Sequence, residues 1–330
     1  MRTPSMKWLL TLSLCGLATS CSLLLGGEPT GTDAAIAIDL QPEPSDLPTI
    51  DASAMVDAPI AAPRHWQSED TGQKSDLTSV WCADPNNVFV GGPSGVAYST
   101  GDRKWQWQTL PRGTKSIAGN EAGDVYAFGD GLYHSVAGGN FSKVSASIGF
   151  GMMVLSPQLI YLVIGNGTIL RGDGATWQTE FQNSSYFTRN IGGASGDLFV
   201  STTNGIVLHS NGDGNWQPEV VPGATSLRAV WESATGDVYL TAYEGLFHST
   251  GDGKWNNVVS ARLNGIWGAS ADDIYAVGNN GLMLHYTRAR NWQPEIPDFN
   301  VEGIDLAAVT GCSDGQIYAA GSYGTVLHLK

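Results

Sequence analysis

The chain is poor in charge and poorer still in bases. Only 15% of its 330 residues are charged, and 17 Lys and Arg stand against 31 Asp and Glu, giving a formal net charge of -14. A surface with so negative a balance repels phosphate backbones, so no nucleic-acid partner is expected, and solubility outside the cell is the simpler meaning of the charge. Beyond residue 25 no long stretch carries helical periodicity, and beyond the N-terminal segment no apolar run reaches 18 residues. Neither a helical bundle nor a second helical membrane span is therefore expected. What abounds is glycine, with 42 residues, and tryptophan, with 11. That balance favours many short strands joined by tight turns. Length alone allows one large domain or two ordinary ones.

Residues 1–20 have the layout of a secretory leader. Arg2 and Lys7 precede an apolar run from Trp8 to Leu17, and Ala18-Thr-Ser20 leads into Cys21. The run is too short to span a bilayer as a stable helix. Small residues at Ala18 and Ser20 directly before a cysteine resemble the bacterial lipobox, which implies that Cys21 is acylated and becomes the new N-terminus. The usual Leu three residues before the cysteine is here Ala18, and a plain signal peptide cut nearby is the alternative. The resemblance also implies, from Ser22, sorting to the outer membrane, periplasmic or surface-facing. Loss of the leader, with Arg2 and Lys7, takes the formal charge to about -16.

Residues 21–63 change composition to Ala, Asp, Pro and Thr, with no Lys or Arg and with acids at Glu28, Asp33, Asp39, Glu43, Asp46, Asp51 and Asp57. Like charges and prolines are expected to keep such a segment extended and solvated, with a root-mean-square reach of roughly 35 Å. It reads as a tether that holds residues 64–330 away from a lipid surface.

Residues 64–330 repeat. Seven segments carry a strand-like core around an aromatic, at Phe89, Tyr126, Tyr161, Phe199, Tyr239, Tyr275 and Tyr318, spaced 35 to 43 residues apart. A period near 38 fits four short strands per unit, as in a propeller blade. One unit reads as an inner strand Gly265-Ile-Trp-Gly268, a second strand Asp273 to Gly278, a third Gly281-Leu-Met-Leu-His285, and an outer strand opened by Trp292. Turns such as Ser249-Thr-Gly-Asp-Gly-Lys-Trp255 supply the positive φ that tight hairpins need. The outer-strand aromatics are Trp66, Trp105, Phe141, Trp177, Trp216, Trp255 and Trp292, so the first precedes every core and the last core has none after it. We therefore predict an all-β fold, a seven-bladed β-propeller of four-stranded blades, its ring closed by a strand around Trp66 that completes the last blade.

Ile266-Trp-Gly-Ala-Ser-Ala-Asp-Asp-Ile-Tyr-Ala-Val-Gly278, with Gly281-Leu-Met-Leu-His285 and Trp292, resembles the repeats of secreted bacterial propellers. These are distantly similar to galactose oxidase and sialidase propellers and to the propeller-type photosystem assembly factors. The resemblance implies the fold across 64–330 and no one activity, since such propellers host enzymes, lectins and scaffolds alike.

Five of the six histidines, His134, His209, His248, His285 and His328, fall at one repeat position. A residue that recurs with the blade reads as scaffold, and no metal or other cofactor is expected. The Gly-Asp-Gly turns resemble the sialidase Asp-box, one residue short, and they offer a single carboxylate where calcium wants several oxygens. Cys82 follows the inner strand of the first blade and Cys312 lies one repeat position away in the last blade, which closure makes its neighbour, so a disulfide is expected, with two buried free thiols as the alternative. Trp81, Trp231 and Trp267 share one inner-strand position, aligned with Ala118, Met153, Ile191 and Thr310, and either pack between blades or stack a ligand at the channel mouth. The segments Asn183 to Phe187 and Asp298 to Gly303 lengthen connections between blades.

The reading that follows is a monomeric, non-enzymatic envelope lipoprotein that binds an extracellular or periplasmic protein or a glycan through one face of the disc. One alternative is a hydrolase or lyase of extracellular polysaccharide, built from the non-repeating Asp84, Arg228, Glu232, Tyr243 and Glu244. Another is an accessory factor of outer-membrane assembly.

Overall fold

In the computed structural model the described residues are 65–330, apart from 112, 121, 122, 137, 138 and 195. The leader, Cys21 and the acidic segment 21–63 lie outside them. The described residues form seven four-stranded antiparallel sheets. The inner strand of each is β2 (Ser79–Asp84), β6 (Thr114–Gly119), β10 (Gly151–Ser156), β14 (Thr188–Gly192), β18 (Leu227–Glu232), β22 (Leu263–Ser270) and β26 (Leu306–Gly311). Successive inner strands touch around the ring, and β2 touches β26, so the disc is closed.

Closure follows the predicted course. The first strand, β1 (Trp66–Asp70), pairs antiparallel with the last, β28 (Thr325–Leu329), setting Trp66 opposite Leu329 and completing the seventh blade. Joining the two ends in one sheet leaves no free edge between first and last blades.

The core is divided among seven apolar layers, each between two neighbouring blades. The repeating aromatic of each second strand fills the layer toward the next blade: Phe89 packs with Ile117, Tyr275 with Val309, and Tyr318 with Val80 across the closure. Second strands such as Asp273–Gly278 are buried along nearly their whole length, which explains why they read as continuous apolar runs.

Three inter-blade contacts depend on glycine. The indoles of Trp81, Trp231 and Trp267 lie over Gly119, Gly268 and Gly311 of the following blade, where an added Cβ would come within 2.6, 2.6 and 2.2 Å of the rings. One alignment needs correcting. The residue paired with Phe199, as Trp231 is with Tyr239, is Gly192 and not Ile191, which pairs with Val200. The connection from Gly192 to Phe199 is one residue shorter than that from Trp231 to Tyr239, which displaces a count made back from the aromatic by one.

The five histidines stack on the second-strand aromatics of their own blades, with ring centroids 4.0 to 4.6 Å apart. Their ring nitrogens reach a side chain at the start of the second strand, an Asp in four blades and Gln316 for His328, and, in some blades, a Glu of the outer strand: His285 contacts Asp273 at 2.7 Å and Glu295 at 3.2 Å. Such a Glu also accepts the indole N–H of the next blade, as Glu219 does from Trp255 at 3.0 Å and Glu69 from Trp105 at 3.2 Å. Where the outer strand has Val in place of Glu, at Val144 and Val258, the histidines His134 and His248 bond only to Asp124 and Asp237. This is a latch between blades, repeated because the blade repeats. The Gly-Asp-Gly turns are hairpins in which the carboxylate caps a backbone N–H, Asp213 from Asn215 and Asp252 from Lys254.

Candidate binding site at the channel mouth

The inner strands surround an axial channel. Residues from their first halves line a cavity of about 770 Å³, and the ends of β2, β6 and β10 line a second of about 790 Å³. The two ends differ in charge.

At the first end four cations line the cavity: Lys115, Arg189, Arg228 and Arg262, from the second, fourth, fifth and sixth blades. Three share one place in the repeat, two residues before the buried apolar residue of the inner strand. Lys115, Arg189 and Arg228 precede Ile117, Ile191 and Val230, while the other blades have Thr78, Phe150, Asn264 and Ala307 there. Among the described residues none of the four cations has an ion-pair partner. The two acids on the same lining are engaged in holding loops, Asp76 accepting the Tyr323 N–H at 3.1 Å and Asp305 the Asn280 N–H at 3.0 Å. Both of those residues have positive φ, 59° and 57°, so each carboxylate fixes a turn that L-residues adopt reluctantly. Burial, then the neighbouring charges of Arg189 and Arg262, pushes Arg228 below the usual arginine value. Among the described residues the Nε atoms of Arg189 and Arg228 are buried without a hydrogen-bond partner, as is Oδ1 of Asn264, whose amide nitrogen donates to the Leu306 carbonyl at 2.7 Å. Arginine is a strong donor to oxyanions, and a cluster of like charges around a partly desolvated cavity favours an anion entering it.

Aromatics support the same end. The Lys115 ammonium sits 4.0 Å from the Phe150 ring centre, and the Arg262 guanidinium 4.3 Å from that of Tyr243. The connections that emerge at this end also carry exposed Ile148, Phe187, Tyr243, Ile296 and Tyr323, with Ile296 83% exposed. The longer connections at Asn183 to Phe187 and Asp298 to Gly303 belong to this end too.

The solved structures bear on the fold. No family model matches the chain, and no curated protein does. The chain is similar to YCF48 bound to D1 peptide, at 15% identity over 80% of this chain and 96% of that one, with a TM-score of 0.68. It is also similar to YCF48 from Cyanidioschyzon merolae (14% identity, 80% and 98% covered, TM-score 0.66) and to selenomethionine-substituted virginiamycin B lyase from Staphylococcus aureus (13%, 81% and 99%, 0.71). The fold is a seven-bladed β-propeller. At these identities the likeness extends to the fold alone.

The propeller distributes the sequence candidates between its ends. Trp231 and Trp267 line the cationic cavity, whereas Trp81 lines the second cavity with Asp84 and Asn120. Cys82 and Cys312 are joined by a disulfide between the first and seventh blades, with Cα atoms 5.1 Å apart. Cys82 is on the wall of the second cavity. The five residues considered for catalysis do not converge. Arg228 lines the cationic cavity, with Tyr243 and Glu244 in a loop at the same end, and Glu244 is held by Thr225. Glu232, four residues along β18 from Arg228 and so roughly 13 Å away, is buried and accepts the Ala194 N–H at 2.6 Å. Burial raises the Glu232 carboxyl above the usual carboxylate range, against the lowering effect of that bond. Asp84 is at the opposite end, where it caps the Asn86 N–H and binds the Asn87 amide.

Composition had pointed away from Lys115, Arg189 and Arg262, because a chain with few bases draws attention to its acids. Aligning the inner strands on Ile117, Ile191 and Val230 is the signal that would have found two of the three.

Proposed function

We propose that this propeller is a binding module that captures an anionic group of a protein or glycan partner at the cationic end of its channel. The observation that carries this is the set of four lining cations that have no ion-pair partner among the described residues, in a chain of net charge -14. The exposed aromatic and aliphatic side chains around that mouth give a partner apolar surface to cover, and a propeller of similar fold has been solved with a bound peptide. In this reading Cys21 carries the lipid anchor, residues 22–63 span the distance from an outer membrane, and the partner is extracellular or periplasmic.

Photo-crosslinking from intact envelopes tests it. A photoreactive side chain at Phe187 or Tyr243 should give a partner adduct, one at Leu155 on the other end should not, and Arg189→Glu with Arg228→Glu should abolish the adduct. Lys254→Glu, in an exposed hairpin, is the charge-reversal control. Equal adducts from Leu155, or adducts that survive the double reversal, would refute the assignment.

A further inference from the structure

The cationic mouth has unmet needs of two kinds. Among the described residues Arg189 Nε and Arg228 Nε are buried donors without acceptors, and Asn264 Oδ1 is a buried acceptor without a donor, all on residues lining one cavity. A bare oxyanion satisfies the first kind and leaves the second, because an ionised carboxylate or phosphate has no hydrogen to give. The occupant that meets both carries a carboxylate and hydroxyl donors together. The rest of the lining agrees: the amides of Asn190 and Asn279, the hydroxyls of Ser116 and Ser322, and the partly exposed indoles of Trp231 and Trp267. Amides and hydroxyls suit a dense array of sugar hydroxyls, and an indole suits the apolar face of a pyranose ring. The volume, about 770 Å³, is that of a site for a ligand of a few sugar units. Net negative charge elsewhere disfavours a long polyanion lying across the disc, so the ligand enters as a short chain or a chain end.

We propose that the mouth binds a uronic-acid oligosaccharide, its carboxylate against Arg189 and Arg228 and a ring hydroxyl donating to Asn264 Oδ1. This rests on reading the mouth as the anion site and names the ligand class for it.

The test is calorimetric titration of the mature chain with tetramers of galacturonate, glucuronate and mannuronate, beside maltotetraose and a tetraglutamate peptide. At least one uronate tetramer should bind at least tenfold more tightly than either control. Its affinity should fall as salt is raised, and it should weaken at least tenfold in Arg189→Gln and in Arg228→Gln. The salt series on the unsubstituted protein keeps the test valid if a variant fails to fold. Tetraglutamate binding as tightly as the best uronate, with the same salt and arginine dependence, overturns the sugar assignment and leaves the anion site standing. Binding of no anionic probe overturns both. Uronate binding that ignores salt and both arginine variants also overturns the proposal.

Discussion

Cutting the Cys82–Cys312 bond should cost this propeller stability out of proportion to the two atoms involved. The bond closes a loop of 230 residues. On the chain-entropy model such a loop restricts the unfolded ensemble by about 18 cal/mol/K, or roughly 5 kcal/mol at 25 °C, an upper figure because real unfolded chains are already compact. Measured losses for native disulfides run about 2–5 kcal/mol. For a domain of this size about 2–4 °C of Tm accompanies each kcal/mol, so Cys82→Ala with Cys312→Ala should melt about 5–15 °C below the parent. The assay is calorimetric melting of both proteins with and without reductant. Reductant should lower the parent toward the double variant and leave the variant unmoved, while non-reducing mass spectrometry of the parent shows no free thiol at either position. A double variant that melts within about 1 °C of the parent would refute the reasoning. It would mean that the pairing of β1 with β28 already holds the closure and that the loop entropy is recovered elsewhere.

Gly311→Ala places a methyl against the Trp267 indole, so a loss of about 1–3 kcal/mol in denaturant unfolding is expected. Trp267→Leu should relieve part of it, making the pair less than additive; strict additivity would show that the contact is not the cause. Hydrogen bonding to Glu219 raises the folded-state pKa of His209. At His285 burial opposes charging, but the bonds to Glu295 and Asp273 outweigh it and the pKa is again raised. A raised pKa stabilises fully below the unfolded value of about 6.5 and fades as pH climbs through the folded value. The gap in Tm between the parent and His209→Gln or His285→Gln should therefore be widest near pH 5.5 and narrow toward pH 8.5. A gap that is flat or widens with pH would contradict the latch geometry.

The seven-fold fold was legible in the sequence because each blade must solve the same packing problem. An aromatic recurs wherever a second strand fills the layer to the next blade, a Gly-Asp-Gly recurs in the hairpin before the outer strand of three blades, and Trp66 has no core before it because its partner strand is at the other end of the chain. The same logic identified the histidines as scaffold. Tertiary structure alone decided which non-repeating residues meet. Lys115, Arg189, Arg228 and Arg262 are scattered over nearly 150 residues of chain, and only the parallel setting of inner strands around an axis gathers them at one mouth. The ring likewise parts Arg228 from Asp84 and Glu232, which their failure to repeat had grouped. Periodicity records what every blade does for itself; the site belongs to the ring, and its charges become neighbours only when the ring closes.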